Sequence, residues 1–245
     1  MVDIFNLSEK RRIDTLKKAL KINFEARDVQ MALLKKYSKE VRDIEPGFAY
    51  FLPTLEFAWK NIDFAVSLGS GRWKAFNVYP TRVVFETVFR IEYYINKKVE
   101  VQNDIWSKEI LRVNKRFHEA TDSEVFKENH DNIKPFLDNP ESLPDIEEYV
   151  LSDPFPRIEQ LIKDSKLKGF NNDLYFHYRY LSEANHAKLL SIHMQNDEVA
   201  QYRRSLVYIF WCSKSLLTLT NSHISNETSQ QVKESILKAD ELFKP

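Results

Sequence analysis

Residues Thr81–Lys97, TRVVFETVFRIEYYINK, constrain the fold more than any other stretch of this chain. At about 100° per residue, Val83, Val84, Phe85, Val88, Phe89, Ile91, Tyr93, Tyr94 and Ile95 leave no broad polar face on a helix. A helix apolar on nearly every side either spans a membrane or sits at the centre of a bundle. Charges within it, Arg82, Glu86, Arg90 and Glu92, argue against the membrane. The stretch is therefore read as the central helix of an all-α domain. Arg82 and Glu86 then need a partner, because charged groups are seldom buried unpaired.

Only four glycines occur in 245 residues. Tight β-turns rely on glycine, so this scarcity also favours helices joined by longer connections. Net charge is zero, but it is unevenly spread. Residues 1–120 carry 22 Lys and Arg against 16 Asp and Glu, a surplus of six, and residues 121–170 carry 6 against 12, a deficit of six. A basic front can attract nucleic acid, although a surplus of this size also suits ordinary solvated helix faces. The one cysteine, Cys212, lies in an apolar run and is read as inert packing in a reducing compartment. The opening residues, MVDIFNLSEKRR, hold no apolar run long enough for a signal peptide. The apolar run Leu206–Leu219 is too short to cross a bilayer and contains Lys214. The expectation is a cytoplasmic protein with no membrane partner.

Along the chain, Ile13, Leu16, Leu20, Phe24, Met31, Leu34 and Tyr37 recur at helical spacing after a candidate N-cap at Ser8. They predict one long helix, or two joined near residues 26–29, ended before Pro46-Gly47. Further helices are expected from Pro53 to Leu68, from an N-cap at Thr81, over Asn103–Phe117, Arg157–Lys166, Asn172–Met194, Val199–Thr220, and from Asn226 to about Phe243. Residues 121–156 differ: five prolines and much of the acidic excess mark an irregular insertion. The architecture expected is a single all-α domain over residues 1–245, a bundle of roughly seven to nine helices interrupted by that insertion.

The chemistry-bearing residues fall on two predicted helices. On the 172–194 segment, Leu174, Tyr178, Leu181, Leu189 and Ile192 form an apolar arc bordered by Arg179, Ser182, His186 and His193. Polar groups at such a border need partners, and Arg82 and Glu86 are one turn apart on the central helix. The two helices are therefore expected to join Arg82, Glu86, Ser182 and His186 in one hydrogen-bonded cluster. A structural cluster would fix helix register. A functional one has the parts for acid–base work and anion stabilisation. A third reading takes Glu183-x-x-His186 as half of a di-metal carboxylate site with Glu86 and Glu92, but the chain has no second Glu-x-x-His. No phosphate loop, Gly-x-Gly-x-x-Gly, Gly-x-Ser-x-Gly or His-Glu-x-x-His occurs.

Arg82-x-x-x-Glu86 followed by Tyr178-x-x-Leu181-Ser182-x-x-x-His186 resembles a family of uncharacterised, mostly bacterial, all-helical proteins, from about Leu55 onward and excluding the insertion. Arg179-x6-His186 also resembles the Arg-x(4–6)-His motif of the HEPN superfamily, with Tyr180 standing where active members carry a small polar residue. That second resemblance implies a metal-independent endoribonuclease of stress or phage defence, or a silent relative. It implies a homodimer acting on RNA without a cofactor, with His186 moving protons and Arg179 contacting phosphate; Arg82, Glu86, Ser182 and Glu183, from the helix reading above, are expected in support. The competing reading is a non-enzymatic interaction module whose polar cluster only holds helices together.

Overall fold

The computed structural model describes residues 2–41, 46–68, 77–120, 153–167, 174–185, 198–221 and 226–243. These residues form eight helices and no strand: α1 (Val2–Val41), α2 (Pro46–Ser67), α3 (Val78–Ile95), α4 (Val99–Ala120), α5 (Ile158–Asp164), α6 (Leu174–Asn185), α7 (Glu198–Thr220) and α8 (Asn226–Glu241). The all-α, multi-helix architecture is as the sequence predicts. Most of the acidic insertion, residues 121–152, lies outside the described residues. The chain divides into two compact units, Met1–Tyr93 with Ile158–Pro245, and Tyr94–Arg157.

The larger unit is organised around α7. Tyr202, Ser205, Leu206, Tyr208, Ile209, Trp211, Cys212, Ser213, Ser215, Leu216, Leu217 and Thr220 are all buried, which encloses the helix on nearly every side. α1 packs along α7 and α8, and α2 packs against both α1 and α7. α1 is continuous, so Ser8 sits inside the helix and is not its cap. Leu16, Ala19, Leu20, Asn23, Ala26, Gln30 and Leu34 form its buried stripe. Two polar residues seven apart belong to that stripe because each has a partner on α7. Asn23 Nδ2 donates to Ser213 Oγ at 2.8 Å, and Gln30 Nε2 donates to the Leu217 carbonyl at 3.1 Å.

α2 begins at Pro46 rather than at Pro53. Pro46 suits a first-turn position, where no intrahelical N–H bond is lost. Pro53 lies inside the helix on its exposed side. Arg27 Nη1 reaches both carboxylate oxygens of Asp63, at 2.8 and 2.9 Å, and its guanidinium lies over Phe24 and Trp59. That contact pins α2 to α1.

α3 is less central than its composition suggests. Val84, Phe85, Val88, Phe89, Ile91 and Tyr94 are buried, but Tyr79 and Val83 are 45% and 37% exposed. Residues 79, 83, 86, 90 and 93 form a narrow stripe facing outward, with Glu86, Arg90 and Tyr93 half-buried. The inner face seats Phe85 and Phe89 on Trp211, with ring centroids 5.3 and 5.9 Å away. Thr81 is not an N-cap. The helix starts at Val78, and the Thr81 hydroxyl donates back to the Asn77 carbonyl. Glu92 is buried and accepts from Ser165 Oγ at 2.5 Å and from the Lys166 N–H at 2.8 Å. It thereby anchors the chain leaving α5, the short helix that packs on α6.

In the smaller unit, Gln102 Nε2 donates to the carbonyls of Tyr94 and Lys97, both at 3.1 Å. One α4 side chain thus closes the turn that precedes α4. Arg112 meets Asp153 at 3.3 Å.

Candidate functional site

α6 buries Leu174, Tyr178, Leu181 and Ser182, at i, i+4, i+7 and i+8, and turns Tyr175, Phe176 and Arg179 outward. Between its flank and α7 lies a cavity of about 440 Å³, within the range of small-molecule sites. α6 contributes Phe176, His177 and Tyr180, and α7 contributes Arg203, Arg204, Val207 and Tyr208. The spacings are helical: Phe176 and Tyr180, Arg203 and Val207, and Arg204 and Tyr208 are each one turn apart.

His177 Nδ1 lies 2.8 Å from Tyr208 Oη. With a neutral ring bare at Nδ1, the phenol donates to it and the ring proton sits on Nε2. With Nδ1 protonated, the ring donates to the phenol. The Arg204 guanidinium lies 5.8 Å from the Tyr180 ring centre, and its Nη1 donates to Tyr180 Oη at 3.4 Å. Tyr180 and Tyr208 are 6.2 Å apart, and the edge of one ring meets the face of the other between Phe176 and His177. Arg203, a lining residue, has its Nε 2.7 Å from Oε2 of the buried Glu9 of α1. The approach is off the N–H direction, so the contact is ionic rather than a hydrogen bond.

Burial pushes the Tyr208 phenol up to about 12, with Tyr180 adding to the shift and Arg204 opposing it. Burial raises Tyr178 and Tyr202 as well. A phenol whose pKa is higher folded than unfolded stabilises the fold fully below pH 10. That contribution disappears as pH rises through the folded value. The protein is therefore expected to lose stability between pH 10 and about 12, with roughly 2 kcal/mol of the loss due to Tyr208 after solvent screening. Denaturant titrations across that range should show a shallower decline in Tyr208→Phe.

The residues singled out in the sequence are only partly assembled. Arg82 Nε donates to Glu86 Oε1 at 2.8 Å, an i,i+4 pair with both side chains about a quarter exposed. The partner from α6 is Tyr178, whose ring centre is 5.9 Å from the Arg82 guanidinium. Burial raises the Tyr178 phenol first, then Glu86, with Arg82 pulling the other way. Ser182 is buried one turn further on, and among the described residues no hydrogen bond joins it to the pair. Among the described residues the group is Arg82, Glu86 and Tyr178; the expected contact with His186 falls outside them. Arg179 is exposed. His186, His193 and the Glu183 side chain lie outside the described residues.

Sequence reasoning passed over His177, Tyr180, Arg204 and Tyr208. The available signal was a pair of one-turn repeats, His177 with Tyr180 and Arg204 with Tyr208, on two helices that are neighbours in sequence. Cys212 is wholly buried and burial holds its thiol well above the usual range, as inert packing requires. Among the described residues, no group of three or more His, Cys, Asp or Glu is placed to hold a metal ion, and no helix is long and apolar enough to cross a membrane. Comparison with known proteins gives no match to any family model, curated protein or solved structure.

Proposed function

We propose that this chain is a non-catalytic helical binding module whose cavity between α6 and α7 takes a small anion with an aromatic or apolar body. The observation that carries this reading is the grouping of Arg204 over Tyr180 beside the His177–Tyr208 pair, in a cavity otherwise walled by Phe176, Val207 and Arg203. A guanidinium suits an anionic head, and the ring faces and Val207 suit its body. Arg82 and Glu86 satisfy each other and pack on Tyr178, which supports a register-holding role for them. Calorimetric titration with aryl sulfonates, aryl phosphates and mononucleotides tests the proposal. Saturable binding by at least one of these classes is expected, and Arg204→Ala should weaken it about tenfold, the scale of one lost charge-assisted contact. Because Arg204 is exposed, its removal should leave the melting temperature within a degree or two. Absence of binding by all three classes at millimolar concentration would refute the proposal.

A metal-independent ribonuclease acting as a homodimer on RNA is the second reading. It is favoured by one observation: Arg179 is exposed on the same helix that gives the cavity its imidazole. Cleavage of single-stranded RNA in the presence of a chelator, abolished by His186→Ala and by Arg179→Ala without loss of stability, would establish it over the binding module.

A further inference from the structure

Resting on the binding reading above, we infer that Glu9 selects the charge of the ligand, so that the cavity takes singly charged anions and rejects doubly charged ones. Arg203 lines the cavity, and its Nε is 2.7 Å from the carboxylate of Glu9, which is not itself a lining residue. The Glu9 side chain is 7% exposed and that of Arg203 is 26% exposed. The pair therefore sits in a poorly screened setting, where each charge is felt strongly. The second cation near Glu9, Arg12, is 3.5 Å away, but its side chain is 61% exposed and water screens it.

An anion entering the cavity thus meets the attraction of Arg203 and, from the carboxylate paired with it, the repulsion of Glu9. The two nearly cancel. A second charge on the ligand gains little from this wall, while its dehydration cost grows as the square of its charge. Carboxylates, sulfonates and phosphodiesters satisfy that balance. Phosphate monoesters, doubly charged above a second pKa of about 6, do not. Glu9 acts here through Arg203 and is a positioning residue.

Benzenesulfonate and phenyl phosphate, each a phenyl ring bearing one tetrahedral anionic head, test this by titration at pH 8. The wild-type chain is expected to bind the sulfonate about tenfold more tightly. Glu9→Gln releases Arg203 to the cavity and should move the ratio at least tenfold toward the phosphate. The double variant Glu9→Gln/Arg203→Gln removes both charges and leaves the sum unchanged. It should keep the wild-type preference, and it serves if the single variant does not fold. Preference for the phosphate in the wild type or the double variant, or an unmoved ratio in folded Glu9→Gln, overturns the inference and leaves the cavity as a ligand site. If neither compound binds the wild type, while other anions do, the charge rule fails alone. If no anion binds, the binding reading fails with it.

Discussion

Phe85→Ala is expected to lower the free energy of unfolding by about 3–5 kcal/mol, the usual range for emptying a buried aromatic site. Phe85 is wholly buried, with ring centroids 5.2 Å from Phe89, 5.3 Å from Trp211 and 6.4 Å from Tyr208. Truncation removes the ring that seats α3 on α7, and three large neighbours cannot collapse into the space without leaving their own rotamers. Alanine is the better helix former, which returns no more than about 0.5 kcal/mol. Domains are commonly stable by about 5–15 kcal/mol, so the variant should unfold at markedly lower urea. Val83→Ala, on the exposed stripe of the same helix, is the control and should cost under about 1 kcal/mol. Equal losses in the two variants would mean that α3 does not rest on α7 through this face.

The same helix shows how far the sequence could be followed. Its length and helical character are written in unbroken apolar content, and the helical bundle follows from that together with the lack of glycine. Its rank in the fold is not written there. Periodicity reports how many sides of a helix are apolar, not which neighbour covers them. α3 retains an outward stripe at Tyr79, Val83 and Glu86, whereas α7, with serines and a threonine among its aromatics, is the helix enclosed by others. Serine and threonine satisfy their own hydroxyls on the preceding turn, as Thr220 does on the Leu216 carbonyl. They therefore cost little inside and look falsely polar in a sequence.

The candidate site was less legible for a related reason. Arg82 and Glu86 drew notice as charges in an apolar helix, and their pairing followed from spacing alone. Their neighbour from α6 depends on the relative rotation of two helices, which spacing does not report; among the described residues it is Tyr178. His177 stood in no motif. It matters only because α7 presents Tyr208 to it, a pairing between residues 31 apart.

Asn23→Asp should be as damaging as any core truncation, at about 3–5 kcal/mol near neutral pH, the cost of leaving a buried charge without its partner. Asn23 has no exposed surface, and its Nδ2 donates to Ser213 Oγ, which in turn donates to the Phe210 carbonyl. An aspartate replaces that donor with an oxygen and brings a charge into the seam between α1 and α7. Among the described contacts, no cation lies beside it. Burial raises the pKa of such a carboxyl above its unfolded value of about 3.9. The introduced group is thus neutral in both states below that value, and its penalty grows as pH climbs through the folded pKa. Melting temperatures of the variant and wild type should converge near pH 4 and separate by pH 8. Asn23→Leu carries no charge and fills similar space, so it should keep most of the stability while losing the polar pairing that fixes how α1 slides along α7. A pH-independent deficit in Asn23→Asp would place residue 23 in water and remove the seam as the element that sets helix register.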